Sequence, residues 1–175
     1  DHLHIPLQAG SNEVLKLMNR KYDLNKFFEI IEKIRSIRPN ISVTTDVIVG
    51  FPGETEEMFN ETINNCKKLK LTKIHVFPYS ERKGTKAMEL PNHLPNDEKK
   101  SRARKLLEVS KELELEYANK HLNKEVEVLI EENKDNYSIG HTSNYLHVKI
   151  KGNYKPNTFV KTTIKEVEYP YCIGE

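Results

Sequence analysis

The sequence predicts an α/β protein: a parallel half-barrel of strands and helices, then a small all-β barrel. Three observations carry this. Apolar strand-like runs alternate with helix-period segments over the first half of the chain. A long, highly charged helical stretch follows. From Asn123 the pattern changes to short strands, punctuated by Gly140, Gly152 and Pro156. The expected boundary separates residues 1–122 from residues 123–175.

In order, Leu3 to Leu7 reads as a short buried strand, ended by Pro6 and Gly10. Leu24 to Arg38 reads as a helix, with Phe27, Ile30, Ile31 and Ile34 on one face and Pro39-Asn40 as its stop. Ser42 to Val49 is β-branched and mostly apolar, which fits a buried parallel strand. The turn Gly50-Phe51-Pro52-Gly53 leads to a helix over about Thr55 to Lys70. Its first residues are acidic and its last are lysines, in keeping with the helix dipole. Lys73 to Phe77 is the third strand. This order implies right-handed parallel crossovers. Three strands are too few to close a barrel, so the remaining strands are expected upstream of Asp1.

Pro78 to Pro95 reads as a loop, and Asn96 or Asp97 as the cap of a helix reaching about Leu122. Ala103, Leu106, Leu107, Leu113 and Tyr117 supply its apolar side. The run from Lys99 to Lys105 reads as a solvated helix face, since acidic residues follow it closely. Val126 to Ile130, Tyr145 to Ile150 and Phe159 to Val167 read as the strands of a small OB-like barrel. Such modules commonly bind single-stranded nucleic acid.

With 37% apolar and 31% charged residues among 175, the chain can build a sizeable core. No apolar run is long enough to span a membrane, and nothing resembles a signal peptide, so a cytoplasmic setting is expected. The 2 cysteines, Cys66 and Cys172, read as structural thiols and cannot hold a cluster through three local thiolates. Net charge is +2, yet Asn136 to Lys165 contains no acidic residue. There, Lys149, Lys151 and Lys161 are interleaved with Tyr137, Tyr145, Tyr154 and Phe159. Lysines neutralise phosphates and tyrosines stack on unpaired bases, although a solvated β-surface with core aromatics fits the same composition.

Polar groups gather where parallel strands end, the usual place for a site in such folds. Gln8 and Ser11 follow the first strand, Asp46 and Gly50 belong to the second, and Tyr79, Ser80 and Arg82 follow the third. Arg20 stands at the head of the first crossover. Each has a plain alternative: strand end, helix cap, tight turn or surface ion pair. Together they suit a polar metabolite, with arginine for a carboxylate and aspartate for a ribose or amino group. His2 and His4 point the same way along a strand. With His75 and Asp46 they could chelate a metal, which would make a barrel hydrolase.

These residues also carry a resemblance. His2-Leu3-His4-Ile5-Pro6-Leu7-Gln8-Ala9-Gly10-Ser11 with Met18-Asn19-Arg20-Lys21-Tyr22 resembles the middle of radical S-adenosylmethionine (SAM) methylthiotransferases. So does Thr45-Asp46-Val47-Ile48-Val49-Gly50-Phe51-Pro52-Gly53-Glu54-Thr55. The segment from His75 to Ala87 resembles the family's next block, and the tail resembles its TRAM domain, an RNA-associated β-barrel. Gly140-His141-Thr142-Ser143-Asn144-Tyr145 is most similar to the branch acting on threonylcarbamoyl-adenosine beside the anticodon. Relatives acting on isopentenyl-adenosine or a ribosomal protein compete closely.

The resemblance implies SAM and two 4Fe–4S clusters as cofactors of a full-length transferase, and the tRNA anticodon stem-loop as partner. It implies Gln8, Ser11, Arg20, Asp46, Val49, Gly50 and Tyr79 on the SAM side. Ser80 and Arg82 would face substrate, and Tyr145, Lys149, Lys151 and Lys161 RNA. The family's Cys-x3-Cys-x2-Cys motif does not occur in this sequence, so the chain by itself is expected to be a catalytically incomplete fragment. An RNA-binding module with an inert half-barrel is the rival reading. The unpaired backbone of an incomplete sheet also predicts self-association through its edge.

Overall fold

The computed structural model describes residues 1–175 as two compact units. One is Leu3–Leu113; the other is Asp1–His2 with Glu114–Glu175.

β1 (His2–His4, whose His2 is grouped with the second unit), β2 (Ser42–Val49) and β3 (Lys73–Pro78) form the sheet of the first unit, in the order β1-β2-β3. The β2–β3 register is parallel and runs from Thr44↔Lys73 to Val49↔Pro78. β1 is shorter than expected. Beyond it the chain meets β2 again at a single bridge, Gln8 to Val47. Alternation along the strands decides which face is covered. Val43, Val47 and Val49 are wholly buried and Ile74 nearly so. They pack with Leu15, Phe27, Ile31 and Phe59 of helices α1 (Asn12–Leu17), α2 (Leu24–Ile37) and α3 (Glu56–Lys68). Each such side chain removed from water contributes roughly 1.5–3 kcal/mol. The opposite face carries His4, Asp46, Ile48, His75 and Phe77, and no helix covers it to the same degree: Phe77 is 51% exposed.

The helix starts follow their sequence signals. The Asp23 carboxylate accepts from the Lys26 N–H at 2.8 Å, and the Thr55 hydroxyl from Met58 at 3.3 Å. The Arg35 guanidinium donates to the carbonyls of Leu69 and Lys70 at 2.6 and 2.7 Å, closing the end of α3. Helix α1 was not expected: six residues hold too little periodicity to announce it, although Val14 and Leu15 are buried. The loop before the long helix includes a 3-10 turn at Lys86–Glu89.

Helix α4 spans Asn96–Asn119, so the expected cap, Asn96 or Asp97, is already in its first turn. Two expectations for α4 are corrected. Leu107, assigned to the apolar side, is 48% exposed, while Lys99 and Arg102 are only 4% and 3% exposed. The reason is register: Lys99, Arg102, Leu106, Val109 and Leu113 follow one another at steps of three and four.

In the second unit, β4 (Glu125–Lys134), β5 (Tyr137–Thr142), β6 (His147–Lys151), β7 (Phe159–Glu168) and β8 (Tyr171–Gly174) close into a barrel ordered β4-β5-β6-β8-β7. Val128, Ile130, Val148, Ile150, Ile164 and Cys172 fill its interior. Strands β5 and β8 had not been expected. The inward residues of β5 are Ser138, Gly140 and Thr142, which do not read as a core. Gly140 is required by closeness: a Cβ there would fall on the Leu129 carbonyl of the neighbouring strand.

Candidate functional site on the uncovered sheet face

In the first unit Gln8 and Asp46 lie along β1 and β2 with Arg20 reaching Gln8, and Gly50 and Tyr79 stand where β2 and β3 end. Gln8 lies where the chain re-joins β2, in a left-handed backbone conformation at φ 66°. Its N–H donates to the Asp46 carbonyl at 2.8 Å and its carbonyl accepts from Ile48 at 2.9 Å. A non-glycine residue held there is uncommon, and the two backbone bonds hold it. The Arg20 guanidinium donates to the Gln8 side-chain oxygen at 3.2 Å, placing arginine and amide together. The Asp46 carboxylate sits 3.3 Å from His4 Nε2, while His4 Nδ1 meets the Thr44 hydroxyl at 3.0 Å.

The turn after β2 forms the second part of the rim. Gly50 has φ 72°, and a Cβ on it would lie 2.6 Å from Lys99 Cγ. Its N–H donates to the Glu54 carboxylate at 2.6 Å. That carboxylate is in turn held by the Arg102 guanidinium of α4 at 2.7 Å, and Arg102 also reaches the carbonyls of Glu54 and Thr55. Burial pushes the Glu54 carboxyl above the ordinary range, with Arg102 and the Gly50 N–H opposing the shift. Lys99 lies with its ammonium 5.3 Å from the centre of the Tyr79 ring. Phe51 meets the same ring edge-on at 5.1 Å, and Tyr79 N–H donates to the Val49 carbonyl at 2.8 Å. The glycine turn is thus fixed from behind by α4. Glu54, Lys99 and Arg102 are supports of this rim that the sequence reading did not single out; for Lys99 and Arg102, their common face of α4 with Leu106 was the available signal.

Other candidates are placed differently. Ser11 is wholly buried at the start of α1, and its hydroxyl makes no capping bond. Val49 is buried too, so it offers the rim its backbone. Ser80 and Arg82 are exposed in the loop after β3. Tyr145, Lys149, Lys151 and Lys161 belong to the second unit. Lys161 lies 3.6 Å from Glu125 on β4. A cavity of about 590 Å³ opens elsewhere, between α2 and α3, and includes none of the candidates.

The donor set can be tested against two groups. No trio of histidine, cysteine or acidic residues forms a metal cluster. His4 and Asp46 are engaged with each other, and His75 meets His4 only ring to ring at 5.6 Å. Both cysteines are buried, their thiols pushed up to about 12 at Cys66 and about 11 at Cys172. They do not fit an iron–sulfur cluster, whose ligands are thiolates. A guanidinium, a carboxylate, an amide and an open sheet face do fit a zwitterionic nucleoside such as SAM.

Comparison with known proteins bears on the family, not on individual residues of this rim. Residues 1–66 match the family described as the Radical SAM superfamily. The chain superposes on Escherichia coli coproporphyrinogen III oxidase (HemN), described as a radical SAM enzyme, with a TM-score of 0.53 over 64% of this chain and 26% of that one. At 24% identity that likeness shows the fold alone. The match to the radical SAM superfamily covers residues 1–66 of the 175.

The chain is also similar to proteins named for the methylthiolation of tRNA. It is 42% identical over its whole length to the threonylcarbamoyladenosine tRNA methylthiotransferase MtaB of Bacillus subtilis (strain 168), covering 40% of that protein. It is 47% identical over 75% of its length to the tRNA-2-methylthio-N(6)-dimethylallyladenosine synthase of Thermoanaerobacter sp. (strain X514), covering 28% of it. The corresponding synthase of Caldicellulosiruptor saccharolyticus is 36% identical over the whole chain, which covers 38% of it. The chain therefore spans 40% or less of the length of these relatives. No helix is long and apolar enough to cross a membrane.

Proposed function

We propose that this chain is the SAM-side half-barrel and RNA-docking barrel of a cytoplasmic tRNA methylthiotransferase. The complete enzyme modifies C2 of threonylcarbamoyl-adenosine beside the anticodon. The observation that carries the reading is identity of 42% across the entire chain with a relative bearing that specificity in its name. The dimethylallyladenosine relative that also aligns over the whole chain is 36% identical. The 47% match over 75% of the chain supports the isopentenyl-type adenosine as the second reading.

Bound SAM, with two iron–sulfur clusters ligated by other parts of the full-length protein, would supply hydrogen abstraction at C2, sulfur and a methyl group. This chain's own residues bind and orient. Arg20, steadied by Gln8, would take the SAM carboxylate. Asp46, oriented by His4, would take a hydroxyl or the ammonium group. The Val49–Gly50 backbone, fixed by Glu54 and Arg102, would let the adenine approach. Tyr79 would close the rim, with Ser80 and Arg82 on the substrate side. Residues 123–175 would dock the anticodon stem-loop, and residues 1–122 would form the C-terminal half of the radical SAM barrel with its trailing helix.

The test uses the full-length protein with its clusters. Asp46→Ala and Arg20→Ala should each weaken SAM binding about tenfold or more, measured by equilibrium dialysis, because each removes a charge-assisted hydrogen bond. An unchanged SAM affinity in both variants would remove SAM from this rim.

A further inference from the structure

The basic tract of the second unit does not form one patch. Strand alternation and barrel closure sort it onto two sides. On the β4–β7 side, Glu125 and Glu127 oppose Lys161 in the ladder, where Glu127↔Lys161 are paired, and the Lys161 ammonium approaches Glu125. Charges there offset one another. On the outer face of β5, β6 and β8 the composition is different. Tyr137, His141, His147, Lys149 and Tyr171 share it, with Ser138, Gly140, Val148 and Cys172 buried behind.

The rings of this face form a continuous row. His141 and His147 are register partners, stacked at 4.5 Å with planes 3° apart. Tyr171 lies 4.4 Å from His147, and Tyr145 4.9 Å from His141. His2, which clusters with this unit, stacks beyond Tyr145 at 4.6 Å. The Lys149 ammonium stands 4.2 Å from the centre of the Tyr137 ring and 5.8 Å from that of Tyr171. Lys151, two residues along the same strand, is exposed. The Glu131 carboxylate meets the row at 2.8 Å from His141 Nδ1.

We infer that this face, and not the basic tract as a whole, is a stacking site for unpaired bases of a single-stranded RNA segment. Resting on the tRNA reading above, it names where the loop nucleotides lie. Aromatic side chains on a sheet surface stack bases of any sequence, and the second and third strands of such a barrel are its usual nucleic-acid face. Lys149 and Lys151 neutralise the phosphates that follow those bases. When the Lys149 ammonium moves to a phosphate, it uncovers the Tyr137 and Tyr171 rings it now stands over. Lys161 lies outside the site.

The experiment measures binding of a fluorescently labelled stem-loop RNA, and of its stem as a blunt duplex, to the 175-residue chain. Lys149→Ala and Tyr171→Ala should each weaken stem-loop binding about tenfold or more, with Tyr171→Phe and Lys161→Ala within about twofold of wild type. The duplex should bind weakly and respond little to Tyr171→Ala. A Tyr171→Ala variant with a lowered melting point is set aside in favour of Lys149→Ala and Lys149→Glu, whose side chain is not part of the core. A Lys161→Ala loss equal to that of Lys149→Ala overturns the assignment, as does duplex binding as tight as stem-loop binding. In both cases RNA docking itself stands. Absence of stem-loop binding by the wild-type chain at low salt removes the tRNA-docking reading together with this site.

Discussion

His121 makes two hydrogen bonds that admit one neutral form. Its Nδ1–H donates to the Tyr117 carbonyl at 3.0 Å, and its Nε2 accepts from the Asn144 amide at 3.0 Å. Asn144 also donates to the Tyr117 hydroxyl at 3.0 Å and accepts from the Thr142 hydroxyl. Burial lowers the His121 pKa below the ordinary histidine value, with Lys124 and Lys120 adding to the shift against the Tyr117 carbonyl. A lowered folded value means the neutral form is favoured by folding. The contribution to stability is therefore present above about pH 6.5 and is lost as pH falls through the folded value. Melting temperature should drop on acidification through this range, and His121→Gln should flatten that dependence. An equal pH slope in the variant would show that other groups set it. The segment Gly140 to Tyr145, read from sequence as a mark of substrate branch, is thus in part a fold motif. Its threonine and asparagine tie the β5–β6 turn to the end of α4. Sequence similarity alone could not separate the two uses, because the partners, Tyr117 and His121, lie more than twenty residues upstream.

At the scale of elements, the strands and helices with strong period were legible, and the exceptions have causes. Ser42–Val49 was visible because β-branched residues run through it, and α2 and α3 because caps and apolar spacing agree. Strand β5 was hidden by small and polar inward residues, and β8 by its length of four. Helix α4 was found, but its face was misjudged. Basic residues next to an acidic run suggest solvent, whereas Arg102 is the buried partner of Glu54 behind the glycine turn. Its neighbour Glu98 adds a bond at 2.6 Å. Breaking a buried pair leaves a charge without compensation, so Arg102→Met should lower stability by about 3–5 kcal/mol. The exposed pair Lys105–Glu56, by contrast, should lose about 0–1 kcal/mol on Lys105→Met. Urea unfolding of the two variants checks this; similar losses would mean that the Glu54–Arg102 pair does not anchor the turn.

At the scale of the whole molecule, the chain joins a three-stranded sheet backed by helices to a closed five-stranded barrel. The strand–helix order of the first was legible because its apolar runs and helix-period segments alternate strongly. What the sequence hid was the sidedness of each unit: which sheet face stays uncovered, and which lysines share a surface with rings. Those follow from pairing register, which composition does not reveal. The central claim, methylthiolation of a hypermodified adenosine in tRNA, is tested most directly by nucleoside mass spectrometry of tRNA. The cells compared should express the full-length protein or lack it. 2-Methylthio-threonylcarbamoyl-adenosine should be present with the protein and lost without it, with the unmethylthiolated nucleoside accumulating in its place. An unchanged profile would rule out this activity, and loss confined to the isopentenyl-type nucleoside would rule out threonylcarbamoyl-adenosine as the substrate.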